Sequence, residues 1–254
     1  MESLRLLSYN IRAGLGTDGI RDLERVATVI RQFNPDLLVV QEVDRHVPRS
    51  RCADQFHHLT QALGLNGHFA KTIDLHGGDY GIALFSRWPF CQHFTCPLPA
   101  QEGHEDRVLA GIEVRPPGSN LPLWWLGTHL ARYSAELRLA QAEAIDAFVA
   151  SHLPPEANVI LAGDFNDSRH SPPLRHLSRH WTLVSREAPT YPANAPEHDI
   201  DHILFRHGSR LECLSAGLIS EQVASDHLPT YVLAVETAAS PASPEADGTS
   251  VRVL

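Results

Sequence analysis

The sequence predicts a mixed α/β fold. Several short apolar runs have the length of buried strands, and two longer segments carry apolar residues at helical spacing. These elements alternate along the chain without an internal repeat. With 254 residues and 43% hydrophobic content, the chain can bury the core of one large domain.

The first elements follow in order from the N-terminal region. Leu4 to Asn10 forms an apolar run that predicts a strand. The segment RDLERVATVIRQF comes next, and its apolar residues recur every three or four positions, which predicts an amphipathic helix. Asp22 is the expected N-cap, and Pro35 ends the helix.

The remaining elements are seven further strands and a second helix. The predicted strands are DLLVVQEV, GIALFS, VLAGIEV, LPLWWLGTHL, NVILAGDF, DHILF and a last one, TYVLAV, that ends the apolar pattern. SAELRLAQAEAIDAFVASHL predicts a helix capped by Ser134. The Ala/Ser/Pro-rich end has no apolar periodicity, so we expect a domain over residues 1–236 and a disordered tail over residues 237–254.

Charge and cysteine content restrict the partners and the compartment. The formal net charge of -9 argues against a surface that grips nucleic acid by nonspecific attraction to phosphates. The four cysteines have no paired CxxC spacing and are too few for a disulfide scaffold, which favours reduced thiols in the cytoplasm. No apolar run is long enough to span a membrane. We expect a cytoplasmic monomer.

One glycine motif points to a different class of protein. GLGTDG, Gly14 to Gly19, matches the G-x-G-x-x-G fingerprint of dinucleotide-binding proteins, and the acidic Glu42 ends the next predicted strand. This pattern alone would indicate an NAD-binding oxidoreductase. However, residues 10–13 separate the strand from the first glycine, and the expected cap Asp22 starts the helix too late to meet a pyrophosphate. A flexible turn is the favoured interpretation.

Polar residues at the edges of the apolar runs are the stronger signal. LAGDFND places carboxylates and a carboxamide directly after a predicted buried strand, where turn chemistry or a metal and phosphate site would explain them. Ligands of sheet proteins collect where strand ends converge. Each residue has an ordinary explanation as a turn, a cap or a core histidine, but the set is harder to dismiss: Asn10, Glu42, His129, Asp164, Asn166, Asp201, Asp226 and His227.

Seven motifs in a fixed order carry a resemblance to a known family. SYNI, LLVVQEVD, DYGIALFSR, GTHL, LAGDFND, DIDHILF and ASDHLP resemble the motifs of the endonuclease/exonuclease/phosphatase family, over residues 4 to about 235. The resemblance implies a DNase I-like, four-layer αββα sandwich with two packed mixed β-sheets. It also implies divalent-metal-dependent hydrolysis of a phosphoester.

The resemblance implies a metal-binding group and a phosphate-binding group. Glu42 corresponds to the principal metal ligand, with Asn10 and Asp226 beside it. Hard oxygen ligands suit Mg²⁺, with Mn²⁺ as a substitute. Arg107 resembles an arginine near the substrate phosphate, although an arginine next to Glu105 and Asp106 also fits a surface ion pair of little consequence.

The resemblance also implies the catalytic groups. Asp201 fixes the imidazole of His227, which takes a proton from the attacking water. Asp164 orients that water or its metal ion. Asn166 and His129 donate to phosphoryl oxygens as negative charge develops, and His129 is a candidate to assist the leaving group.

Other candidates have an ordinary interpretation that is favoured. Asp79 and Tyr80 either buttress His129 or form a strand-entry turn. Asp167 fits turn chemistry, and Asp199 is expected to be solvated. A zinc site built from the histidines of HDIDH and ASDHLP, at positions 198, 202 and 227, is disfavoured because H-x₃-H on a strand does not point both rings at one metal ion.

The sequence therefore predicts an Mg²⁺- or Mn²⁺-dependent phosphodiesterase or phosphomonoesterase. The features of repair endonucleases and inositol phosphatases are absent around GTHL and after GDFN, where this chain continues as DSRHSPP. With 21 basic against 30 acidic residues, a small or lipid-linked phosphate ester, such as a phospholipid headgroup or a nucleotide, is favoured over long DNA. The alternatives are a nuclease of the DNase branch, the NAD-binding oxidoreductase and a catalytically silent binding module.

Overall fold

The architecture was obtained as a computed structural model that describes residues 3–119 and 121–237. Residues 238–254, which make up nearly all of the predicted disordered tail, lie outside the described residues. The α-helices are α1 (Leu23–Phe33), α2 (Gln55–Leu63), α3 (Ala135–His152) and α4 (Pro172–Leu177). The strands are β1 (Leu4–Asn10), β2 (Leu37–Arg45), β3 (Asn66–Leu75), β4 (Gly78–Ser86), β5 (Phe90–Pro97), β6 (Val108–Val114), β7 (Leu123–His129), β8 (Asn158–Asp164), β9 (Trp181–Leu183), β10 (Asp201–Arg206), β11 (Leu211–Leu218) and β12 (Thr230–Glu236).

The strands form two mixed sheets of six strands each. The first sheet has the order β11-β12-β1-β2-β4-β3, and the second has the order β5-β6-β7-β8-β10-β9. Each sheet contains one parallel pair at its centre, β1 with β2 and β7 with β8, and the other pairs are antiparallel. The ends of the parallel strands carry several of the predicted site residues.

Three apolar clusters define four layers. The central cluster lies between the two sheets and contains Leu6 and Val39 from the first sheet and Trp125 and Ile160 from the second. A second cluster joins the outer face of the first sheet to α1 and α2, and a third joins the outer face of the second sheet to α3 and α4. The predicted αββα sandwich is confirmed.

Both predicted helices are present with their predicted caps. The backbone N–H of Arg25 donates to Asp22 Oδ1 at 3.1 Å, and the N–H of Leu137 donates to Ser134 Oγ at 3.1 Å. Because α1 begins only at Leu23, residues 11–22 separate it from β1. The tight strand-to-helix turn of a dinucleotide site is therefore not formed, and the NAD interpretation of the glycine motif is wrong.

The cysteines and the helices were also the subject of predictions from the sequence. All four cysteines are free thiols, as predicted. Within residues 3–119 and 121–237, none of the helices combines the length and the apolar character needed to cross a bilayer.

Gly127 on β7 is a position where the two sheets approach closely. A Cβ atom there would lie 2.6 Å from Val39 Cγ2 and 3.1 Å from Leu84 Cδ1, both on the opposite sheet. Gly127→Ala is expected to lower the free energy of unfolding by about 1–3 kcal/mol, because the buried neighbours must move to admit the methyl group. Urea denaturation measures the change.

Gln92→Ala on the exposed face of β5 is the matched control for this substitution. Its free energy of unfolding should stay within about 0.5 kcal/mol of that of the parent protein. An unchanged urea midpoint in Gly127→Ala would show that the sheets pack less tightly at this point than described.

Candidate active site

Polar strand ends from both sheets meet at one place. Asn10 ends β1, His129 ends β7 and Asp164 ends β8, while Asp201 starts β10 in register with Asp164. Because β7 and β8 are parallel, His129 lies beside Asp164. The Nδ2 atom of Asn10 lies 3.0 Å from Asp164 Oδ2, so the strand ends of the two sheets are in direct contact.

Glu42 reaches this place through a β-bulge. The pairing of β2 with β4 shifts between Val40 and Val43, and Glu42 itself has a φ of +60°. A bulge turns a side chain away from the regular alternation, and a non-glycine residue in this backbone region stores strain that is common at functional sites. Glu42 Oε1 accepts a hydrogen bond from Asn10 Nδ2 at 3.2 Å.

Asp201 and His227 form a buried hydrogen-bonded pair. His227 Nδ1 lies 2.9 Å from Asp201 Oδ2, and the same carboxylate oxygen accepts from Thr190 Oγ1 at 2.6 Å. Burial alone would lower the pKa of His227, but the carboxylates of Asp201 and Asp164 outweigh it and raise the pKa to about 10. With Nδ1 donating to Asp201, Nε2 is the atom left to exchange a proton with a ligand.

The loop that carries His227 is anchored to β1. Ser225 Oγ donates to the backbone oxygen of Asn10 at 2.7 Å, which holds the Asp226–His227 segment against the first sheet. Asp226 is partly exposed, and Arg12 Nε lies 3.2 Å from its Oδ2 atom. The ring of Tyr191 packs on the His227 imidazole with centroids 4.9 Å apart.

Asp164 lies buried at the centre of the cluster. Its Oδ1 atom accepts from the backbone N–H of Asn166 at 2.8 Å, and its Oδ2 atom lies 3.5 Å from His129 Nε2 and 3.8 Å from His227 Nε2. Burial, with the nearby charge of Asp201, raises the pKa of Asp164. The carboxylate therefore favours any cation that can reach it.

His129 is held in one tautomer by Arg107. The guanidinium Nη1 atom lies 3.3 Å from His129 Nδ1, and because arginine only donates, Nδ1 must accept. The ring proton is then on Nε2, which points to Asp164. Burial first, and then the charge of Arg107, keep the pKa of His129 well below its usual value, so the ring is a neutral donor.

Arg107 is itself buried, with only 2% of its side chain exposed. Glu105 pairs with it at 3.1 Å across the cavity edge. The alternative interpretation of Arg107 is thus correct about the ion pair with Glu105 and wrong about its place, because the guanidinium is buried beside the cavity and not in solvent.

Asn166 follows β8 in a left-handed conformation with a φ of +50°. One amide hydrogen of its side chain is donated to the backbone oxygen of Leu130 at 3.0 Å. This bond fixes the carboxamide at the cavity edge beside Asp164.

Most of the predicted site residues line one cavity of about 400 Å³, while Asn10 and Asp201 contact lining residues without lining it themselves. The volume lies within the range of roughly 300–1,000 Å³ typical of ligand pockets. Seven of the residues that line the cavity were predicted from the sequence, including Arg107, and the others were not. The lining residues are Glu42, Arg49, Ile73, Leu75, Tyr80, Glu105, Arg107, His129, Arg132, Asp164, Asn166, Tyr191, Ile200, Asp226 and His227.

The donor set of the cavity fits a hard divalent cation. Within the described residues, neither Glu42 nor Asp164 pairs with a lysine or an arginine, and burial raises the pKa of both carboxyl groups. Such carboxylates gain from a metal ion, and oxygen ligands suit Mg²⁺. Asp226 also lines the cavity. The predicted ligand Asn10 instead presents its Nδ2 atom to Glu42 and Asp164, while its Oδ1 atom accepts from the backbone N–H of Arg12 at 3.0 Å.

A second group of side chains is also close enough to bind a metal ion. Atoms of Asp164, Asp201 and His227 all lie within 4.8 Å of one another, which is close enough for a metal ion. However, Asp201 and His227 Nδ1 are already joined by a direct hydrogen bond. We therefore favour the carboxylate of Glu42 as the principal cation ligand.

The candidates with an ordinary interpretation include Asp79, Tyr80 and Asp167, and two of these form ion pairs. Asp79 pairs with Lys71 at 2.8 Å, and Tyr80 lines the cavity, where burial raises the pKa of its phenol. Asp167 pairs with Arg138 at 2.8 Å, an interaction beyond turn chemistry.

Asp199 is not solvated, contrary to expectation, because its carboxylate pairs with Arg169 at 2.7 Å and is largely buried. The rings of His198 and His202 do not join His227 around one point: His202 Nε2 lies 2.9 Å from the backbone oxygen of Asp167. Among the described residues, the metal-sized cluster contains neither ring.

Sequence reasoning missed several residues that line the cavity. Arg132 lies three residues after His129, which was a usable signal. Arg49 pairs with buried Asp44 at 2.7 Å, and Tyr191 comes from a loop far along the chain. Neither lies next to a recognised motif, so only the folded chain brings them to the site.

Comparison with known proteins identifies relatives of the whole domain. The model of the Endonuclease/Exonuclease/phosphatase family matches residues 7–227. None of the curated proteins matches the chain at a significant level.

Solved structures with the same fold include proteins from bacteria and human. An endonuclease/exonuclease/phosphatase from Beutenbergia cavernae DSM 12333 is 24% identical, with a TM-score of 0.79 over 92% of this chain and 72% of that chain. A mannosyl-6-phosphatase from Bacteroides thetaiotaomicron VPI-5482 is 17% identical, with a TM-score of 0.75 over 92% of this chain and 100% of that chain. The human Nocturnin catalytic domain with a bound sulfate anion is 21% identical, with a TM-score of 0.71 over 93% and 94% of the two chains.

The pKa of His227 tests the electrostatics of the site. Asp201→Asn should move this pKa from about 10 toward its ordinary value of 6.5, because the strongest stabilising carboxylate is removed. Imidazole NMR titration in EDTA measures the pKa, and His227→Ala assigns the signal. Asp199→Asn is the control, since its carboxylate pairs with Arg169 instead. Identical titration of His227 in Asp201→Asn and the parent protein would contradict the described pair.

Proposed function

Because this chain belongs to the endonuclease/exonuclease/phosphatase family, a family of phosphoester hydrolases, we propose that it is a divalent-metal-dependent phosphoesterase. The observation that carries the proposal is one cavity lined both by His227, whose Nδ1 atom pairs with Asp201, and by the carboxylate of Glu42, which has no lysine or arginine partner among the described residues. A proton acceptor and a cation ligand at one phosphate-sized site are the two requirements of hydrolysis by an activated water.

The metal-binding residues in this proposal are Glu42 and Asp226, with Asn10 as the residue that positions Glu42. Mg²⁺ is the natural ion and Mn²⁺ its substitute. When bound, the ion supplies positive charge that offsets the phosphate and favours the neutral imidazole of His227. The hydrogen bonds from Asn10 Nδ2 hold the Glu42 and Asp164 carboxylates in place before the substrate arrives. The cation site is thus preorganised by the chain itself.

His227 is the proposed general base. Its Nδ1–H donates to Asp201, so Nε2 faces Asp164 and the cavity and accepts the proton of the attacking water. The bond from Thr190 Oγ1 to Asp201 keeps the carboxylate oriented. Asp164 accepts a hydrogen bond from that water and aligns it with the phosphorus atom.

Donors on the other side of the cavity stabilise the phosphoryl oxygens. Neutral His129 presents Nε2–H, and Asn166 presents its second amide hydrogen. Arg107 fixes the His129 tautomer and adds positive charge beneath the phosphate. As negative charge grows on the phosphoryl group, these donors bind it more strongly than they bind the ground state.

A substrate with few phosphates fits the charges of the site better than a long nucleic acid. The chain has 21 basic against 30 acidic residues, so it lacks the excess of cations that binds a polyanion. Two of the three arginines at the cavity, Arg49 and Arg107, already pair with carboxylates. The similar mannosyl-6-phosphatase from Bacteroides thetaiotaomicron supports a small phosphate ester, whereas efficient nicking of plasmid DNA at physiological salt would favour the nuclease alternative.

Hydrolysis of bis-p-nitrophenyl phosphate tests the proposed function. We expect turnover with Mg²⁺ or Mn²⁺ and its loss in EDTA. His227→Ala should lower kcat by about 100-fold or more at saturating metal, because the general base is removed. The exposed His207→Ala is the matched control and should retain full activity. No metal-stimulated turnover of any phosphoester would refute the enzyme, and full activity of His227→Ala would refute its role as the base.

A further inference from the structure

A groove adjoins the active-site cavity. We call it the side groove and define it by Arg132, Tyr133, Tyr191, Glu197 and His198. It encloses about 660 Å³, which is more than the cavity itself, and it shares the side chains of Arg132 and Tyr191 with the cavity. A molecule whose phosphate lies in the cavity would therefore extend into the side groove.

Aromatic rings form much of the groove surface. Tyr133 is 80% exposed, which is unusual for a large ring and offers a free face. Tyr191 stacks on His198 with a centroid distance of 6.3 Å, and its ring also contacts His227. One tyrosine thus touches both the proposed base and the groove.

The charges of the side groove select against ionic occupants. Asp167 and Asp199 in its lining pair with Arg138 and Arg169. The exposed Glu187 and Glu197 then stand against Arg132 alone, so a second phosphate would meet excess negative charge. A cationic group also gains little, because Glu187 and Glu197 are exposed to solvent, where an ion pair is weak, and Arg132 already covers one face of the Tyr133 ring at 5.3 Å. The groove suits an uncharged group.

The exposed carboxylates favour an occupant with hydroxyl groups. Glu187 is 72% exposed with only long contacts to Arg169 and His170, and Glu197 is exposed without an ionic partner among the described residues. Ionised carboxylates only accept hydrogen bonds, so the ligand must supply donors. A ring with C–H faces and hydroxyl edges would pack on tyrosine and donate to glutamate at the same time.

We propose that the side groove binds the alcohol part of the substrate and that this part is a neutral ring bearing hydroxyl groups, such as a sugar. The proposal rests on the proposed function only for the position of the phosphate in the cavity. Tyr133 supplies the packing surface, and Glu197 accepts from the hydroxyl groups. Arg132 lies between them and the phosphate and is the one cavity arginine without a carboxylate partner in the described chain.

Direct binding of phosphonates tests the side groove without turnover, because their P–C bond is not hydrolysed. Three probes share one anionic group: propylphosphonate, the phosphonate analogue of a hexose phosphate, and a phosphonate that carries a trimethylammonium group. Calorimetric titration into the Mg²⁺-loaded protein should give at least about five-fold tighter binding of the hexose analogue than of propylphosphonate. Tyr133→Ala and Glu197→Ala should each remove most of that difference, because they remove the packing ring and the acceptor.

Tyr133→Phe should retain the binding of the hexose analogue, and Leu214→Ala, at an exposed apolar residue outside the groove, is the control for general effects. Equal affinity for the hexose analogue and propylphosphonate would overturn the proposal. If the trimethylammonium probe bound most tightly, the proposal would also be overturned, because the side groove would then prefer a cationic group. Turnover of bis-p-nitrophenyl phosphate in the same preparations separates this result from failure of the proposed function.

Discussion

The hydrogen bonds donated by Asn10 Nδ2 join the polar strand ends of the two sheets. This one carboxamide contacts Glu42 on β2 at 3.2 Å and Asp164 on β8 at 3.0 Å, so it links the first sheet to the second. The face-to-face packing of the sheets around Val39 and Trp125 fixes how closely these ends approach. A cavity with ligands from both sheets exists only while that packing holds.

The same arrangement concentrates negative charge that His227, with its raised pKa, offsets only in part. Glu42 and Asp164 lack a lysine or arginine partner in the described residues, and the pKa values of both are raised by burial. Burying such carboxylates lowers the stability of the fold unless a cation or a proton neutralises their charge. The left-handed backbone of Glu42 adds strain at the same point. The buried charge and the strained backbone of Glu42 both indicate that these residues are arranged to bind a cation.

The sequence allowed the central elements to be predicted because their apolar runs are continuous. It missed the short elements α2, α4 and β9, although Phe56, Leu59 and Leu63 of α2 recur at helical spacing. It also missed the edge strands β3, β5 and β11, whose exposed polar residues hide the strand pattern. Most predicted site residues lie at or near strand ends, and the ends of adjacent strands are close together in the sheet. Asp226 and His227 lie in a loop and were found through the ASDHLP motif. Tyr191 enters from a loop and Arg49 from a short 3-10 helix, so their placement depends on tertiary contacts that no local motif encodes.

The position of a bound cation tests the central claim most directly. Crystals grown with Mn²⁺ would locate the ion by anomalous scattering in the parent protein and in Glu42→Gln. We predict one Mn²⁺ in the cavity with the Glu42 carboxylate as a ligand, and weak or absent occupancy in Glu42→Gln at the same concentration. Mn²⁺ bound away from Glu42, or equal occupancy in both proteins, would contradict the account.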